Sequence, residues 1–526
     1  MRATPPAVWR PGLDRRAVRH PAPPGAARAR SRSVVVVGGG IAGLAAASAL
    51  AERGVRVELL EREERLGGRV RSWPVRLADG DEAVMSRGFH AFFRQYYQLR
   101  ALLRRADPEL RALRPLPDYP LALADGPVDS FRRVPRTPPW NLAGFVALSP
   151  TFRAVDLLRI ELDAALGLLD VEFPRSREEL DGVSAAEFLD RLRFPRRARH
   201  LALEVFARSF FADPREFSAG ELLTMFHGYF VGSAEGLLFD VAADDFDAAL
   251  WAPLGERLRR LGVRIRTGCP ATRLERTPEG VRVECEAGAL EADAVVLATE
   301  LRPLQRLVAE GGLGDAAWRR RVAALRPAPP FAVWRRWYGR PVRRGRAEFL
   351  GTSGYGPLDN VSLVHRFEAS AARWAERRDG SVVELHAYAL GPGTDREQLR
   401  AQLDAQQLRL LPELAGAPVL GEELLLAEDC TAVGLEPWRE RPGVDTPDPR
   451  VVLAGDGIRC DLPVALMERA ATTGALAANR LLADWGVRGF DLWTTPTGAR
   501  SPWPGRLRRA LRRLPRRSGR EAGVHA

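Results

Sequence analysis

The sequence predicts an α/β fold in which a parallel-sheet domain is interleaved with a second domain of mixed sheet plus helices. Three observations support this class. Val34–Val37 is a β-branched run that ends at glycines, as buried parallel strands do. Similar apolar runs recur far along the chain, at Asp293–Thr299 and Val451–Leu453. The residues between them mix helical periodicity with short alternating strands, so the parallel sheet must be collected from separated segments.

A glycine-rich turn follows the first strand. Gly38, Gly40 and Gly43 form the pattern G-x-G-x-x-G. The first glycine permits a tight turn, the second lets the backbone approach a pyrophosphate, and the third lets the helix lie close to the strand. The helix that begins near Ala42 would point its free N–H groups at phosphates. Glu61 ends the next strand, 18 residues after Gly43, where its carboxylate can accept from ribose hydroxyls. This context predicts a Rossmann-like dinucleotide site; the alternative is a turn that only packs strand against helix.

A second motif favours FAD over NAD. Arg65-Leu-Gly-Gly-Arg69 resembles the motif that follows the first βαβ unit in glutathione-reductase-type flavoproteins of the amine oxidase and carotene desaturase branch. The resemblance implies that Gly68 and Arg69 contact the flavin dinucleotide, together with Arg62, which lies beside Glu61.

The far end of the chain supplies the second half of this site. Val451–Gly457 is predicted to be a strand and turn that carries Asp456, followed by a helix at Pro463–Leu482. The segment resembles the one in which an aspartate holds the ribityl–phosphate region of FAD and a residue such as Met467 lies beside the flavin ring. Ordinary helix core is the alternative for Met467. Ala271 stands where many relatives place a valine against the adenine, which we expect to weaken packing slightly.

A histidine-containing block indicates the branch. Met85–Tyr97 has the sequence M-S-R-G-F-H-A-F-F-R-Q-Y-Y, which resembles a block of the carotene desaturases and most of all the carotene desaturase/methyltransferases of isorenieratene-synthase type. Gly455–Ala470 and Trp485–Gly489 resemble the same group, so the similarity spans roughly residues 33–495. The resemblance implies an FAD-dependent oxidoreductase that desaturates and aromatises the β-ionone ring of a carotene, with 1,2-methyl migration.

Such a substrate is an apolar polyene, and it needs an apolar tunnel with few polar groups. His90 is the predicted catalytic base or flavin-positioning residue; a histidine that is only hydrogen-bonded in the cofactor cleft is the alternative. Arg87 is predicted to contact the flavin. The tunnel wall is predicted to include Phe89, Phe92, Phe226 and Tyr229, each of which could instead be plain core. Weaker acid/base candidates are Glu235, Asp240 and Asp461, for which a helix cap or a surface group is the alternative.

Composition excludes other kinds of chemistry. The chain has no lysine, so its 79 basic residues are all arginine, and neither a Schiff-base lysine nor a P-loop lysine is possible. The four cysteines have no disulfide or metal spacing, which favours a reducing compartment, and the histidines have none either, so no metal site is predicted. The net charge of +12 resides at the two ends of the chain. The 62 arginines and 65 acids of residues 34–499 give no support to nucleic-acid binding.

The two basic ends lead to different predictions. Residues 1–32 are rich in proline, alanine and arginine and lack the apolar region of a secretory signal, so we expect disorder. Near the other end, Leu507, Leu511 and Leu514 recur at helical spacing among arginines. This pattern indicates a basic amphipathic helix suited to an anionic membrane surface; a solvated tail is the alternative. We therefore expect a cytoplasmic protein that is peripheral on the inner face of the cell membrane.

The predicted organisation interrupts the FAD-binding domain twice. The segments are 1–32 (disordered basic tail), 33–145 (FAD-binding, first part), 146–245 (helical substrate or cap region), 246–300 (FAD-binding, second part), 301–430 (substrate domain), 431–485 (FAD-binding, third part) and 486–526 (C-terminal extension with basic tail).

Three other functions stay open at this point. A linear carotene desaturase acting on phytoene or ζ-carotene, or a squalene-type dehydrogenase, would share the His90 block. A non-catalytic lipid carrier with the same fold is disfavoured by the intact Glu61, Arg69 and Asp456. An amine oxidase is disfavoured by the missing lysine. The exact carotenoid, the ring type, the number of rings processed, the terminal electron acceptor and the oligomeric state have no signature in the sequence.

Overall fold

A five-stranded parallel sheet forms the centre of the first domain. The computed structural model describes residues 14–157, 159–201 and 211–513. In spatial order the strands are Arg264–Arg266, Arg56–Leu60, Ser33–Val37, Ala294–Leu297 and Val451–Leu453. Every neighbouring pair is parallel, and all strands end on the side where the glycine-rich turn lies. The sheet is therefore assembled from three distant stretches of the chain.

Two helices cover one face of this sheet and pack closely on each other. Ile41–Glu52 follows the central strand, and Leu466–Asp484 lies against it. At Gly474 an added Cβ would come within 2.2 Å of the Ala42 carbonyl oxygen, so the absent side chain sets the distance between the helices. At Gly43 an added Cβ would lie 1.8 Å from the carbonyl oxygen of Gly38, which brings the helix onto the turn.

A seven-stranded mixed sheet forms the second domain. In spatial order its strands are Val419–Ala427, Phe331–Tyr338, Ser381–Ala387, Asn360–Leu363, Phe349–Ser353, Leu121–Leu123 and Val128–Asp129. All neighbours are antiparallel except one parallel pair, Phe349–Ser353 with Leu121–Leu123. The predicted boundary at residue 145 is therefore wrong, because residues 121–129 already belong to this sheet. These strands have only three and two residues, too few for a periodic signal.

Smaller sheets and helices surround the two domains. Three of the smaller sheets in the described residues consist of Phe92–Phe93, Phe239–Ala242 and Leu113–Pro115, of Ala271–Arg276, Val281–Cys285 and Gly288–Ala292, and of Ser72–Arg76 with Glu82–Ser86. In the described ranges the remaining α-helices are Tyr97–Arg104, Trp140–Leu148, Ala154–Leu157, Leu162–Gly167, Arg175–Glu178, Ala185–Arg191, Ala219–Phe226, Ala252–Arg260, Leu301–Glu310, Ala316–Ala323, Ala369–Arg378, Arg396–Leu410 and Trp503–Arg513. In the described residues no helix is long and apolar enough to cross a membrane.

The first described residues correct the prediction of a disordered tail. Val18–His20 forms an antiparallel pair with Leu492–Thr494, and the buried carboxylate of Asp14 pairs with Arg500 at 2.9 Å. Local composition cannot reveal a strand whose partner lies more than 470 residues away. Residues 1–13 of that predicted tail lie outside the described residues.

Candidate active site

One cleft of about 620 Å³ runs from the glycine-rich turn of the parallel sheet to the seven-stranded sheet. Most of the predicted cofactor residues line it: Gly38, Gly40, Ala42, Glu61, Arg62, Gly68, Arg69, Arg87, Ala271, Asp456 and Met467. Gly43 does not, because it packs beneath the turn against the Gly38 carbonyl. The cleft thus brings together residues from all three segments of the parallel-sheet domain.

The turn presents an open backbone and a helix N-terminus to this cleft. The helix Ile41–Glu52 has Gly40 as its N-cap, no side-chain cap and no acidic residue in its first turn. A Cβ added at Gly40 would meet only the Cα of Gly68, at 3.7 Å, within the described structure. Backbone N–H groups at such a helix end attract anions, so the site suits a pyrophosphate.

Glu61 is buried at the edge of the same turn. Its Oε2 accepts from the N–H of Gly39 at 2.7 Å, and its Oε1 accepts from the N–H of Glu63 at 2.9 Å. Burial raises the pKa of the Glu61 carboxyl above its usual range, and these two N–H donors offset part of that effect. Each carboxylate oxygen has further acceptor capacity, so Glu61 can also receive ribose hydroxyls.

Charged groups and unpartnered polar atoms occupy the middle of the cleft. Arg69 forms an ion pair with Asp456, and Arg87 pairs with Asp429 at 2.6 Å. In the described part of the chain, the buried Nε of Arg87 and the buried hydroxyl of Thr299 have no hydrogen-bond partner. Buried polar atoms without partners are rare in proteins. Together with the turn and Glu61, this donor and acceptor set fits FAD.

His90 lies in the cleft with one ring nitrogen committed. Its Nδ1 is 2.8 Å from the carbonyl oxygen of Gly88, which can only accept, so Nδ1 carries the proton and Nε2 is a free acceptor. Burial lowers the pKa of His90 to about 4, and the Gly88 carbonyl offsets this only partly. The imidazole is therefore neutral at pH 7, and it packs edge-on against Phe246 at 5.5 Å.

Aromatic side chains line the other end of the cleft. Phe89 and Tyr229 are among them, and so are Phe93, Tyr119, Phe131, Phe211, Phe239, Phe331 and Phe349. The predictions for Phe92 and Phe226 are wrong. Phe92 is fully buried in the core and Phe226 stacks on Phe230 at 5.4 Å, so neither reaches the cleft. A run of aromatic residues does not show which of them faces a cavity.

The weaker acid/base candidates do not line the cleft in the described structure. The carboxylate of Asp240 pairs with Arg94 at 3.0 Å and Arg100 at 2.6 Å, Glu235 is buried elsewhere, and Asp461 is half exposed. Within the same described residues no group of three histidine, cysteine or acidic side chains is arranged to hold a metal ion.

Sequence reasoning missed a polar set at the aromatic end of the cleft. Glu384, His386 and Tyr388 alternate along the strand Ser381–Ala387 and the residue after it, and they are linked by hydrogen bonds. Residues two apart on a strand share a face. The sequence signal that could have identified them is an otherwise apolar strand with three polar side chains on one face.

Comparison with known proteins agrees with this site. The model of the flavin containing amine oxidoreductase family matches residues 41–482. The chain belongs to this family. It is 57% identical to a carotenoid phi-ring synthase from Streptomyces griseus over 496 residues, which cover 94% of this chain and 96% of the relative. It is 25% identical to a carotenoid phi-ring synthase from Chlorobaculum tepidum over 88% of this chain and 90% of that one.

Solved structures show the same fold. Putrescine oxidase, in a structure with bound putrescine, superposes with a TM-score of 0.63 at 17% identity and covers 86% of this chain and 99% of that one. The prediction of an FAD-binding α/β fold interleaved with a substrate domain is confirmed, as is the prediction of an enzyme. The protein is an FAD-dependent oxidoreductase of this family.

Proposed function

We propose that this enzyme aromatises the β-ionone ring of a carotene to a phi-type ring, with 1,2-methyl migration. One observation carries the proposal: a single cleft joins the FAD-binding residues to an aromatic-walled extension. The relative that is 57% identical bears the name of a phi-ring synthase, which supports the ring type.

The aromatic extension suits an apolar polyene. Phe93 is the centre of a cluster, with ring centroids 4.6 Å from Tyr229 and 5.1 Å from Phe239. Tyr119 and Phe239 lie 4.7 Å apart, which continues the wall. A carotene has no charged group that a protein can bind, so affinity must come from burial of the polyene against these aromatic side chains.

The reaction would require the chain to handle a carbocation. Bound FAD would supply a two-electron oxidation by accepting a hydride, and each ring requires two such oxidations, with an external acceptor reoxidising the cofactor after each one. Loss of hydride leaves a cation next to the gem-dimethyl carbon of the ring. A methyl group then moves with its electron pair to the cationic carbon, and loss of a ring proton forms the new double bond. Aromatic faces stabilise positive charge, and a dry cleft protects the cation from water.

His90 is suited to receive a proton from such a cation. Its Nε2 is unprotonated while Nδ1 is held by Gly88. A pKa of about 4 makes it a weak base, yet a ring carbocation is a far stronger acid than an imidazolium. The same low pKa keeps His90 neutral throughout the physiological range, so the base is always available.

Expression in a bacterial host that already makes β-carotene tests the proposal. Pigments would be separated by chromatography and weighed by mass spectrometry. We expect the loss of four hydrogens per ring with an unchanged number of carbon atoms. Unchanged β-carotene, combined with longer conjugation in a host that makes phytoene or ζ-carotene, would contradict the proposal and indicate a linear desaturase.

A membrane surface is the proposed source of the substrate, on the inner face of the cell membrane. In the helix Trp503–Arg513, Trp503 and Leu507 are 47% and 41% exposed, beside exposed arginines. This agrees with a basic helix that inserts apolar residues between anionic headgroups. Leu514, the third leucine of the predicted pattern, lies outside the described residues.

The membrane proposal is testable by co-flotation with vesicles that contain phosphatidylglycerol. Changing both Trp503 and Leu507 to serine should release the protein from the vesicles. Val419→Ser is a matched control, because Val419 is also 41% exposed but lies on the seven-stranded sheet. Deletion of residues 500–526 is a poorer test, since it removes the Arg500 partner of buried Asp14. Unchanged flotation of the double variant would refute this anchor.

A further inference from the structure

A chain of three hydrogen-bonded side chains reaches from the interior of the seven-stranded sheet to the substrate end of the cleft. The Glu384 carboxylate lies 2.8 Å from Nε2 of His386, and Nδ1 of His386 lies 2.6 Å from the hydroxyl of Tyr388. Glu384 and His386 are almost completely buried, whereas Tyr388 is partly exposed to the cleft. None of the three side chains takes part in the role proposed for His90.

The inner end of this chain is anchored as an anion. Arg335 donates to Oε2 of Glu384 at 2.8 Å, and it also donates to the carbonyl of Val84 and the hydroxyl of Ser86. Burial alone would raise the pKa of the Glu384 carboxyl, but Arg335 and His386 outweigh burial and lower it to about 2. Glu384 is therefore a fixed negative charge behind the imidazole.

The hydrogen atoms of the chain can be assigned from the chemistry of its partners. An ionised carboxylate only accepts, so Nε2 of His386 carries the proton and donates to Glu384. The backbone N–H of Phe89 also approaches Nε2, at 3.2 Å, but this is the longer contact and the carboxylate is the stronger acceptor. Nδ1 must then accept from the Tyr388 hydroxyl. The Tyr388 oxygen also accepts a hydrogen bond from Nδ2 of Asn360 at 3.1 Å, which leaves one lone pair to accept a proton from the cleft.

The imidazole of His386 is held against the loop that carries His90. A Cβ added at Gly88 would lie 2.4 Å from Cε1 of His386, so glycine is required for the ring to fit there. Gly88 also supplies the carbonyl that orients His90. The same glycine therefore positions two imidazoles, of which only His90 faces the cleft without a hydroxyl in front of it.

We infer that Tyr388, backed by His386 and Glu384, is a second proton acceptor for the ring of the substrate. The inference rests on the proposed function. The electron pair of a ring C–H bond becomes the π bond of the new double bond, and its proton binds the Tyr388 oxygen. The hydroxyl proton of Tyr388 passes to Nδ1 of His386. The positive charge thus moves from the ring to an imidazolium that Glu384 neutralises.

The stoichiometry of aromatisation provides a role for a second proton acceptor. One ring loses two hydrides and two protons, and the two protons leave different carbon atoms. His90 can receive one of these protons and Tyr388 can receive the other, so neither residue has to release its proton before the second one leaves the ring. In this scheme Tyr388 is catalytic, whereas His386 and Glu384 act through it as positioning residues.

The test compares variants of the purified, FAD-loaded enzyme with β-carotene in detergent micelles and a quinone as electron acceptor. Tyr388→Phe should lower kcat by about 10²–10⁴-fold at an unchanged KM, the range expected for loss of a general base. His386→Gln keeps a donor for Glu384 and an acceptor for Tyr388 but cannot carry a proton, so it should fold normally and lose as much. The double variant should be no slower than either single variant, because the residues act as a unit.

Further measurements separate catalysis from structure. Wild-type turnover should slow in D₂O, and this dependence should disappear in Tyr388→Phe. Tyr338→Phe is the matched control, because Tyr338 is buried in the same sheet, bonds to Gln407 at 2.6 Å and does not line the cleft. It should keep the kcat of the wild type. A wild-type kcat in Tyr388→Phe or His386→Gln would overturn the proposal that Tyr388 accepts a proton with the help of His386. Decreases in kcat that multiply in the double variant would overturn it as well. A wild-type enzyme that leaves β-carotene unchanged would instead refute the proposed function.

Discussion

Replacement of Gly40 by valine isolates the contribution of the open turn to cofactor binding. The backbone of Gly40 is extended, with φ −78° and ψ −176°, so a β-branched residue fits its conformation. Among the residues that the structure describes, a Cβ there meets only the Gly68 Cα at 3.7 Å, so valine projects into the cleft rather than into protein. We expect the free energy of unfolding of the apoprotein to change by less than about 1 kcal/mol. FAD binding should weaken by about 3 kcal/mol or more, on the order of a hundredfold in Kd.

Gly43→Ala is the matched control, because it changes the same motif but should lower the stability of the protein rather than its affinity for FAD. Its Cβ would overlap the Gly38 carbonyl oxygen at 1.8 Å, and backbone cannot move aside cheaply. The free energy of unfolding should fall by about 3 kcal/mol or more, whether or not FAD is present. Urea unfolding of the apoprotein and titration with FAD measure the two effects separately. A Gly40→Val protein purified with full flavin absorbance, or a Gly43→Ala protein of wild-type stability, would refute this reasoning.

Three further predictions concern stability and affinity. The unfolded chain binds a proton at His90 between pH 6.5 and 4 that the native protein does not, so stability is lost as the pH falls through this window. Urea unfolding of the wild type and of His90→Asn at pH 6.5 and at pH 4 measures this effect. The free energy of unfolding should fall less in His90→Asn than in the wild type, by up to roughly 3 kcal/mol, and an equal fall in both proteins would contradict the low pKa. Glu221→Gln should lower the free energy of unfolding by about 3–5 kcal/mol, because buried Arg177 and Arg469 would then share no anion; a thermal midpoint like that of the wild type would argue against this. Ala271→Val should tighten FAD binding by about 1.5 kcal/mol through added apolar contact, and an unchanged Kd would show that position 271 does not touch the adenine.

The cofactor end of the cleft was accessible to sequence reasoning because its signals are local. The turn from Gly38 to Gly43 lies between a strand and a helix that each have a strong pattern of their own. Glu61 and Asp456 follow strands of the same parallel sheet, and the carboxyl ends of such strands necessarily meet at one edge. Position in the local pattern was enough to place these residues in the cleft.

The substrate end was less accessible because its geometry depends on distant partners. Whether an aromatic residue faces a cavity is decided by the element packed on its other side, which is why Phe92 and Phe226 were misplaced. The ion pair of Arg87 with Asp429 spans 342 residues and has no local signature. The alternation of Glu384, His386 and Tyr388 was visible in the strand, but only the structure shows that Tyr388 opens onto the cleft.

The order of strands in the parallel sheet has a consequence for biosynthesis. Val451–Leu453 is an edge strand next to Ala294–Leu297, and the helix that follows it covers Ile41–Glu52. A nascent chain cannot finish its cofactor pocket until these late residues have left the ribosome. The strand Val18–His20 must likewise wait for Leu492–Thr494. Flavin capture therefore has to follow the synthesis of residues 451–484, and a chain terminated before them would emerge colourless, with apolar surface exposed to chaperones and proteases.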